Sequence, residues 1–290
     1  MIRLVTAPND GSRPQIRQDV PTPARMYDYC LGGKDNFPVD RAAVLAVHKQ
    51  FPEGVTEARN NRLFLYRLVR FLARDAGIRQ FLDMGSGLPT QANVHQVAQR
   101  FQPDARVVYV DNDPIVLSHG RALLADDRTT TVIAADMTEP ERILDDPETR
   151  KLIDFSEPAA ALFLSIGHSI VDDEKLRGMF ETVWAALVPG SYLAFSQVCG
   201  VDRATVEEGN EMTRRLGLSW RNRTVADVTE LLRGLEPAET IEPGLVKVVD
   251  WRPDPDQPTL AHVDEPLRPY LESPPRNQRS MECGVVFRKP

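Results

Sequence analysis

The sequence predicts a three-layer α/β fold, in which helices cover both faces of a mostly parallel sheet. Three observations carry this. From Gln80 to Val198, short apolar runs alternate with longer stretches of helical spacing. The short runs are almost continuously apolar, as strands buried on both faces require. Several of them end on an acidic or small residue, and the carboxyl ends of parallel strands are where open α/β sheets bind ligands.

The elements follow in order. Residues 1–23 are polar and interrupted by Pro8, Pro14, Pro21 and Pro23, which predicts an irregular arm. The rest, 24–290, reads as one domain. It opens on a helical cap over 24–75, beginning with the compact stretch Ala24–Phe37, ARMYDYCLGGKDNF, around a Gly32-Gly33 pair. Helices are predicted over Asp40–Lys49 and, more strongly, Thr56–Arg74, where Leu63, Phe64, Tyr66, Leu68, Val69, Phe71 and Leu72 recur near helical spacing. Strands are expected at Gln80–Met84, Arg106–Val110, Thr130–Ala135, Ala159–Ser165 and Tyr192–Val198. The helices between them are expected at Gln91–Arg100, Pro114–Leu124 and Asp172–Leu187. Pro114 suits a first helical turn, and Asp172 or Asp173 suits a cap. Further helices are read at Arg203–Leu216 and Ala226–Leu232, and strands at Leu245–Val249 and Cys283–Phe287. Residues 250–280 hold seven of the 23 prolines and predict an insertion lying as a surface loop, disordered, or acting as a lid.

Composition narrows the function classes. The chain of 290 residues has 42% hydrophobic content and a net charge of -7, which disfavours a nucleic-acid or anionic-membrane binder. Cys30, Cys199 and Cys283 are too scattered for a disulfide framework or a thiolate metal site, and suit a reducing compartment. His48, His95, His119, His168 and His262 are equally dispersed, so no metal is expected. The N-terminus lacks the apolar core of a signal peptide, and no run is long enough to span a membrane. A cytoplasmic protein acting on a small molecule is expected, with the oligomeric state open and a homodimer among the options.

The strongest local pattern is Phe81-Leu82-Asp83-Met84-Gly85-Ser86-Gly87-Leu88-Pro89-Thr90: an apolar strand, a Gly-x-Gly turn, then a helix. Glycine permits a tight turn and close ligand approach, and a helix start offers free amides. Asp111 ends the next strand, where a carboxylate can accept hydrogen bonds from both hydroxyls of a ribose. Asp136 ends the third strand and could meet an adenine amino group, with Met137 on the ring. A dinucleotide-dependent oxidoreductase is the alternative enzyme class, but Thr90 occupies the third glycine position of its fingerprint. There is no phosphate-binding G-x-x-x-x-G-K-[ST] loop and no G-x-S-x-G elbow.

With these residues in place, the chain resembles a class I S-adenosylmethionine-dependent methyltransferase, and more closely an actinobacterial family of S-adenosyl methyltransferases of unknown substrate. The stretches carrying the resemblance are Ala24–Phe37, Gln80–His95 with Val108-Tyr109-Val110-Asp111-Asn112-Asp113-Pro114, and Pro243-Gly244-Leu245-Val246 with Trp251-Arg252-Pro253. The resemblance implies a Rossmann-like sheet of seven strands with the last antiparallel. It implies S-adenosyl-L-methionine as cofactor, contacted by Asp83, Gly85, Gly87, Asp111, Asn112, Asp136 and Met137. Ser165 to His168 would lie beside the methionine moiety. Gly167-His168-Ser169-Ile170 departs from the Leu-His-Phe-Val-like run of relatives. A non-catalytic cofactor-binding protein is the third reading.

Two further expectations concern the acceptor side. The Ala24–Phe37 stretch is expected to fold over the cofactor, with Arg25 or Lys34 pairing its carboxylate and Tyr29 lining the methyl-transfer path. Arg59 and Asn60 are expected near the same region. His168 is the candidate general base, because an imidazole titrates near neutral pH.

Overall fold

A computed structural model of the chain describes residues 16–124, 128–235, 237–272 and 278–290. The part of the expected arm at 1–15, including Pro8 and Pro14, lies outside the described residues, as do Pro274 and Pro275 of the insertion.

Three helices precede the sheet: α1 (Pro23–Cys30), α2 (Pro38–His48) and α3 (Gly54–Arg70), the last continuing into a π-helical turn at Phe71–Asp75. Then come β1 (Gln80–Met84), α4 (Val94–Ala98), β2 (Arg106–Asp111), α5 (Pro114–Leu123) and β3 (Thr130–Ala134). They are followed by α6 (Pro140–Leu144), α7 (Pro147–Leu152), β4 (Ala160–Phe163), α8 (Asp173–Ala186) and β5 (Tyr192–Gly200). The C-terminal part adds α9 (Arg203–Arg215), β6 (Arg223–Thr224), α10 (Val225–Leu231), β7 (Glu239–Thr240), β8 (Val246–Lys247), α11 (Arg268–Glu272) and β9 (Ser280–Arg288).

The sheet order is β3-β2-β1-β4-β5-β9-β7, with β6 beside β5 and β8 beside β9. Strands β1 to β5 run parallel. The last strand, β9, is antiparallel to β5 from Tyr192↔Arg288 to Gly200↔Ser280. The main path thus has the seven strands expected, and two short strands are added to it. Every residue of β1 and β4 is buried, which explains their unbroken apolar runs. One face of the sheet packs against α6, α7, α8 and α10, through residues such as Ile143, Leu152, Phe180 and Val228. The other packs against α3 and α4, through Phe64, Leu68 and Val97.

Three local expectations change. The helix read from Gln91 starts only after Asn93, because Ala92 has a φ of 58° and Asn93 caps the next turn in a box with Gln96. Helices α6 and α7 occupy a stretch left unassigned in the sequence. Each is short and begins at a proline, and that proline obscures the helical periodicity. The strand read over Leu245–Val249 keeps only Val246–Lys247, since a 3-10 turn takes over at Val248–Asp250.

The insertion differs most from the loose loop expected. Trp251 is fully buried, edge-on to Phe64 at 5.3 Å and to Phe71 at 5.9 Å. Arg67 of α3 donates from Nε to the Trp251 carbonyl (2.9 Å), from Nη1 to Gln257 Oε1 (2.6 Å), and from Nη2 to the Val248 carbonyl. Farther along, Val263 and Leu267 join Tyr29, Cys30, Val44 and Val55 in a small core between the insertion and the N-terminal helices. The His262 carbonyl lies so close to Gly32 that a Cβ there would sit 2.3 Å from it. The prolines restrict the backbone, but one guanidinium and one indole hold the segment down.

Trp251→Ala is expected to cost ~3–5 kcal/mol of stability, as for a large aromatic removed from a core. Urea denaturation followed by intrinsic fluorescence and far-UV circular dichroism checks this. An unchanged midpoint would mean that the insertion is not part of the packed structure.

Candidate functional site

The turn after β1 is fastened to the end of β2. The amides of Gly85 and Ser86 both donate to the Val110 carbonyl, at 2.8 and 3.1 Å. The Gly87 amide donates to Asp111 Oδ2 at 2.9 Å, and the Asp113 amide donates to Oδ1 at 2.9 Å. Asp113 in turn caps α5 by accepting from the Ile115 amide. Gly85 and Gly87 have φ of +75° and +66°, which side-chain-bearing residues rarely adopt. The two glycines serve different needs. A Cβ on Gly85 would lie 2.7 Å from Met137 Cε and 2.8 Å from Ile166 Cγ2, whereas Gly87 faces open space. Met137 therefore packs against the turn at Gly85, while the Gly87 side is open.

Three carboxylates converge on this end of the sheet. Asp111 is buried, and burial pushes its pKa up to about 6 against the pull of the amides that bond it. Asp83, also buried, is pushed up to about 7 by burial, opposed by the nearby Arg62 guanidinium. Arg62 is fixed by the Gln91 carbonyl (2.7 Å from Nη2) and by Asn93 Oδ1 (2.9 Å). Asp136 is less enclosed, and its Oδ1 accepts from the Thr138 amide and hydroxyl at 2.9 and 2.8 Å. Asn112 is exposed beside Asp111. The sequence did not single out Arg62, because a cation inside an apolar helical stripe reads as solvent-facing.

At the end of β4, Ser165 turns the chain with a φ of 56°. Its amide donates to Ser196 Oγ on β5 at 2.8 Å. His168 follows within a 3-10 turn and is buried. Its ring stacks on Trp220 at 3.6 Å, and Nδ1 faces the Val198 amide at 3.4 Å. Burial and then the Arg223 guanidinium push its pKa down to about 3. An imidazole so placed is packed and poorly basic, which favours a packing role for His168 over the expected general base. Arg223 explains the rigidity here: it donates to the Gly167 and Ile170 carbonyls, both at 2.8 Å, and pairs with Asp173.

The N-terminal expectations also change. Arg25 is buried and paired with Asp40 at 2.9 Å, and its Nη1 donates to the Arg17 carbonyl at 2.7 Å. These contacts tie α1 to α2 and to the arm before it. Lys34 is exposed and pairs with Asp264 of the insertion at 3.0 Å. Tyr29 packs in the small core with Val44 and Val263. Tyr27 goes inward instead, donating to the Ala58 carbonyl at 3.0 Å and accepting from Asn61 Nδ2 at 2.9 Å. Asn36 donates to Asp28 Oδ2 at 2.8 Å, and Gly33 is pressed against that same carboxylate. The Gly-Gly turn is thus built around Asp28. Arg59 and Asn60 line a separate cleft of about 380 Å³ between α3 and the insertion.

A buried carboxylate at the end of β2 thus accepts from an amide of the Gly-x-Gly turn after β1, at the carboxyl ends of the parallel strands, where α/β sheets hold their ligands. Residues 9–289 match the model of a family described as S-adenosyl methyltransferase, and the chain belongs to that family. It is similar to the crystal structure of a DUF574 family protein from Streptomyces avermitilis, with 36% identity and a TM-score of 0.81 over 95% of this chain and 100% of that one. It is also similar to a candidate methyltransferase from Thermobifida fusca, with 42% identity and a TM-score of 0.77 over 95% and 97% of the two chains. No functionally curated protein matches. No helix among the described residues is long and apolar enough to cross a membrane.

The reassignment of His168 has a direct readout. Its ring C–H resonances are expected to stay flat across about pH 5–8, where an unperturbed imidazole titrates. A midpoint inside that range, in an NMR titration assigned with His168→Gln, would contradict the packing role.

Proposed function

We propose that the protein binds S-adenosyl-L-methionine at the β1–β2 turn and transfers its methyl group to a small-molecule acceptor. The observation carrying this reading is the Asp111 carboxylate, oriented by the Gly87 and Asp113 amides beside the open side of Gly87. Two amides take one lone pair on each oxygen, and each oxygen keeps acceptor capacity for a hydroxyl of a ribose. Gly87 lets the backbone approach the nucleoside, Gly85 lets the turn pack against Met137 and Ile166, and Asn112 borders the site. Asp136 has an oxygen left for an adenine amino group, with Met137 against the ring. Asp83 and Ser165 sit where the amino-acid end of the cofactor would run. Arg25 and Lys34 are not assigned to it, because Asp40 and Asp264 hold them.

The bound cofactor supplies an electrophilic methyl group on a sulfonium. The protein's own part is to position the acceptor and exclude water. Beside the turn, Ala24 of α1 and Phe37 pack against Leu88, Ile115 and Val116. Free thiols at Cys30, Cys199 and Cys283, all buried, suit the cytoplasm as the place of action. The net charge of -7 favours a small acceptor over a nucleic acid.

Isothermal titration with S-adenosylhomocysteine tests the reading. Micromolar binding is expected, with none for NAD or NADP. Asp111→Ala removes charge-assisted hydrogen bonds of ~1.5–3 kcal/mol each and is expected to weaken binding by about tenfold or more. Undiminished affinity in that variant, or tight NAD binding, would overturn it.

A further inference from the structure

The cleft between α3 and the insertion shares no residue with the proposed cofactor site. Its volume of about 380 Å³ is within the range of small-molecule sites. One wall is a single face of α3. Thr56, Arg59, Asn60 and Leu63 follow the i, i+3, i+4, i+7 spacing that lines side chains up along a helix. The insertion supplies the rest of the lining, with Leu260 and Leu271 among its apolar members. Both walls are anchored. Arg67, one helical turn beyond Leu63, holds the insertion by the Trp251 carbonyl and by Gln257 Oε1, at 2.9 and 2.6 Å. The cleft is therefore formed before any ligand arrives.

Arg59 has no role in holding the fold that its contacts explain. It is half-buried, and its Nη1 is shut off from water without a hydrogen-bond partner. The other arginine nitrogen in that condition among the described residues, Arg25 Nε, lies 2.9 Å from Asp40 Oδ2. None of the ion pairs among the described residues includes Arg59. Burial pushes its pKa down, and the one group acting against that is the Cys30 thiol. Burial in turn pushes the Cys30 thiol up to about 12, so it is uncharged at neutral pH. The neighbouring buried arginines of α3 differ: Arg62 is fixed by Gln91 and Asn93, and Arg67 by the insertion. Withdrawing a guanidinium from water without a partner is costly, and an anion in the cleft offsets that cost.

The lining also defines the anion. A guanidinium is a planar fork that matches a planar carboxylate with two parallel hydrogen bonds. Arg59 is the only charged residue lining the cleft, so one negative charge is balanced there. A phosphate monoester carries close to two at neutral pH and would leave one uncompensated. The Thr56 hydroxyl and the Asn60 amide can hydrogen-bond the same head group. Leu63, Leu260 and Leu271 offer a hydrocarbon surface beside it. We infer that this cleft is a binding site for a small monocarboxylate with an apolar body, its carboxylate paired with Arg59 and its hydrocarbon part against the three leucines. The inference stands apart from the methyltransferase reading, because it uses a different cavity.

The test titrates the full chain calorimetrically at pH 7 with acetate, hexanoate and phenylacetate, each beside its amide. Hexanoate or phenylacetate is expected to bind tenfold or more tighter than its amide and than acetate. Arg59→Gln is expected to abolish the preference for acid over amide. Thr259→Trp, which narrows the cleft from the insertion side and leaves Arg59 in place, is expected to weaken the same acid by tenfold or more. Far-UV circular dichroism establishes that each variant is folded. Saturating S-adenosylhomocysteine is expected to leave the affinity for the acid within about twofold. The inference is overturned if neither larger acid outbinds its amide, if acetate binds as well as they do, or if the preference survives in Arg59→Gln. Displacement of the acid by S-adenosylhomocysteine would also overturn it, by placing the anion in the cofactor site. The acid–amide comparison and the displacement measurement use the unmodified protein and decide the matter even where a variant fails to fold.

Discussion

The Asp111 carboxylate holds the two working loops of this protein in one geometry. One oxygen takes the Gly87 amide and so fixes the β1 turn; the other takes the Asp113 amide and so fixes the start of α5. Without that bridge the Gly-x-Gly turn would keep only its two bonds to the Val110 carbonyl. The same bridge explains why a carboxylate is tolerated in a buried place: amides satisfy it in part, and the rest of its demand faces the ligand side. In the proposed reading, binding and folding use the same group.

The buried acids of this end share a thermodynamic consequence. Asp111, Asp83 and Glu282 have pKa values raised to about 6, 7 and 8. A carboxyl whose folded pKa exceeds its unfolded value contributes most below the unfolded value, and that contribution is lost as pH rises through the folded value. At neutral pH the folded, ligand-free protein thus holds back the ionisation that these carboxyls would gain freely in the unfolded chain, which lowers its stability. Groups that donate hydrogen bonds or bring positive charge offset this, as a ribose diol and a sulfonium do. Affinity at this site and stability of the chain are coupled through the same carboxylates.

Much of this was legible in the sequence because the signals were local. The strands from Gln80 to Val198 are continuous apolar runs, and burial on both faces requires that pattern. Gly85, Gly87 and Asp111 announce themselves by backbone chemistry that few other residues can supply. What escaped was decided by distant contacts. Arg67 and Trp251 pin the insertion from opposite ends of the chain, a contact that no window of sequence shows. His168 looked like a base because imidazole usually is one; burial beside Arg223, under the stacked Trp220, makes it a weak one. Arg25 and Lys34 looked like free cations until the fold brought Asp40 and Asp264 to them.

The central claim is that Asp111 and the Gly85–Gly87 turn were built around a nucleoside. A crystal structure with S-adenosylhomocysteine measures this directly. The account predicts both ribose hydroxyls within hydrogen-bond distance of Asp111, with the Gly87–Asp111 bond intact and the homocysteine end directed past Asp83 toward Ser165. A ligand bound elsewhere, or a ribose that leaves Asp111 uncontacted, would contradict it.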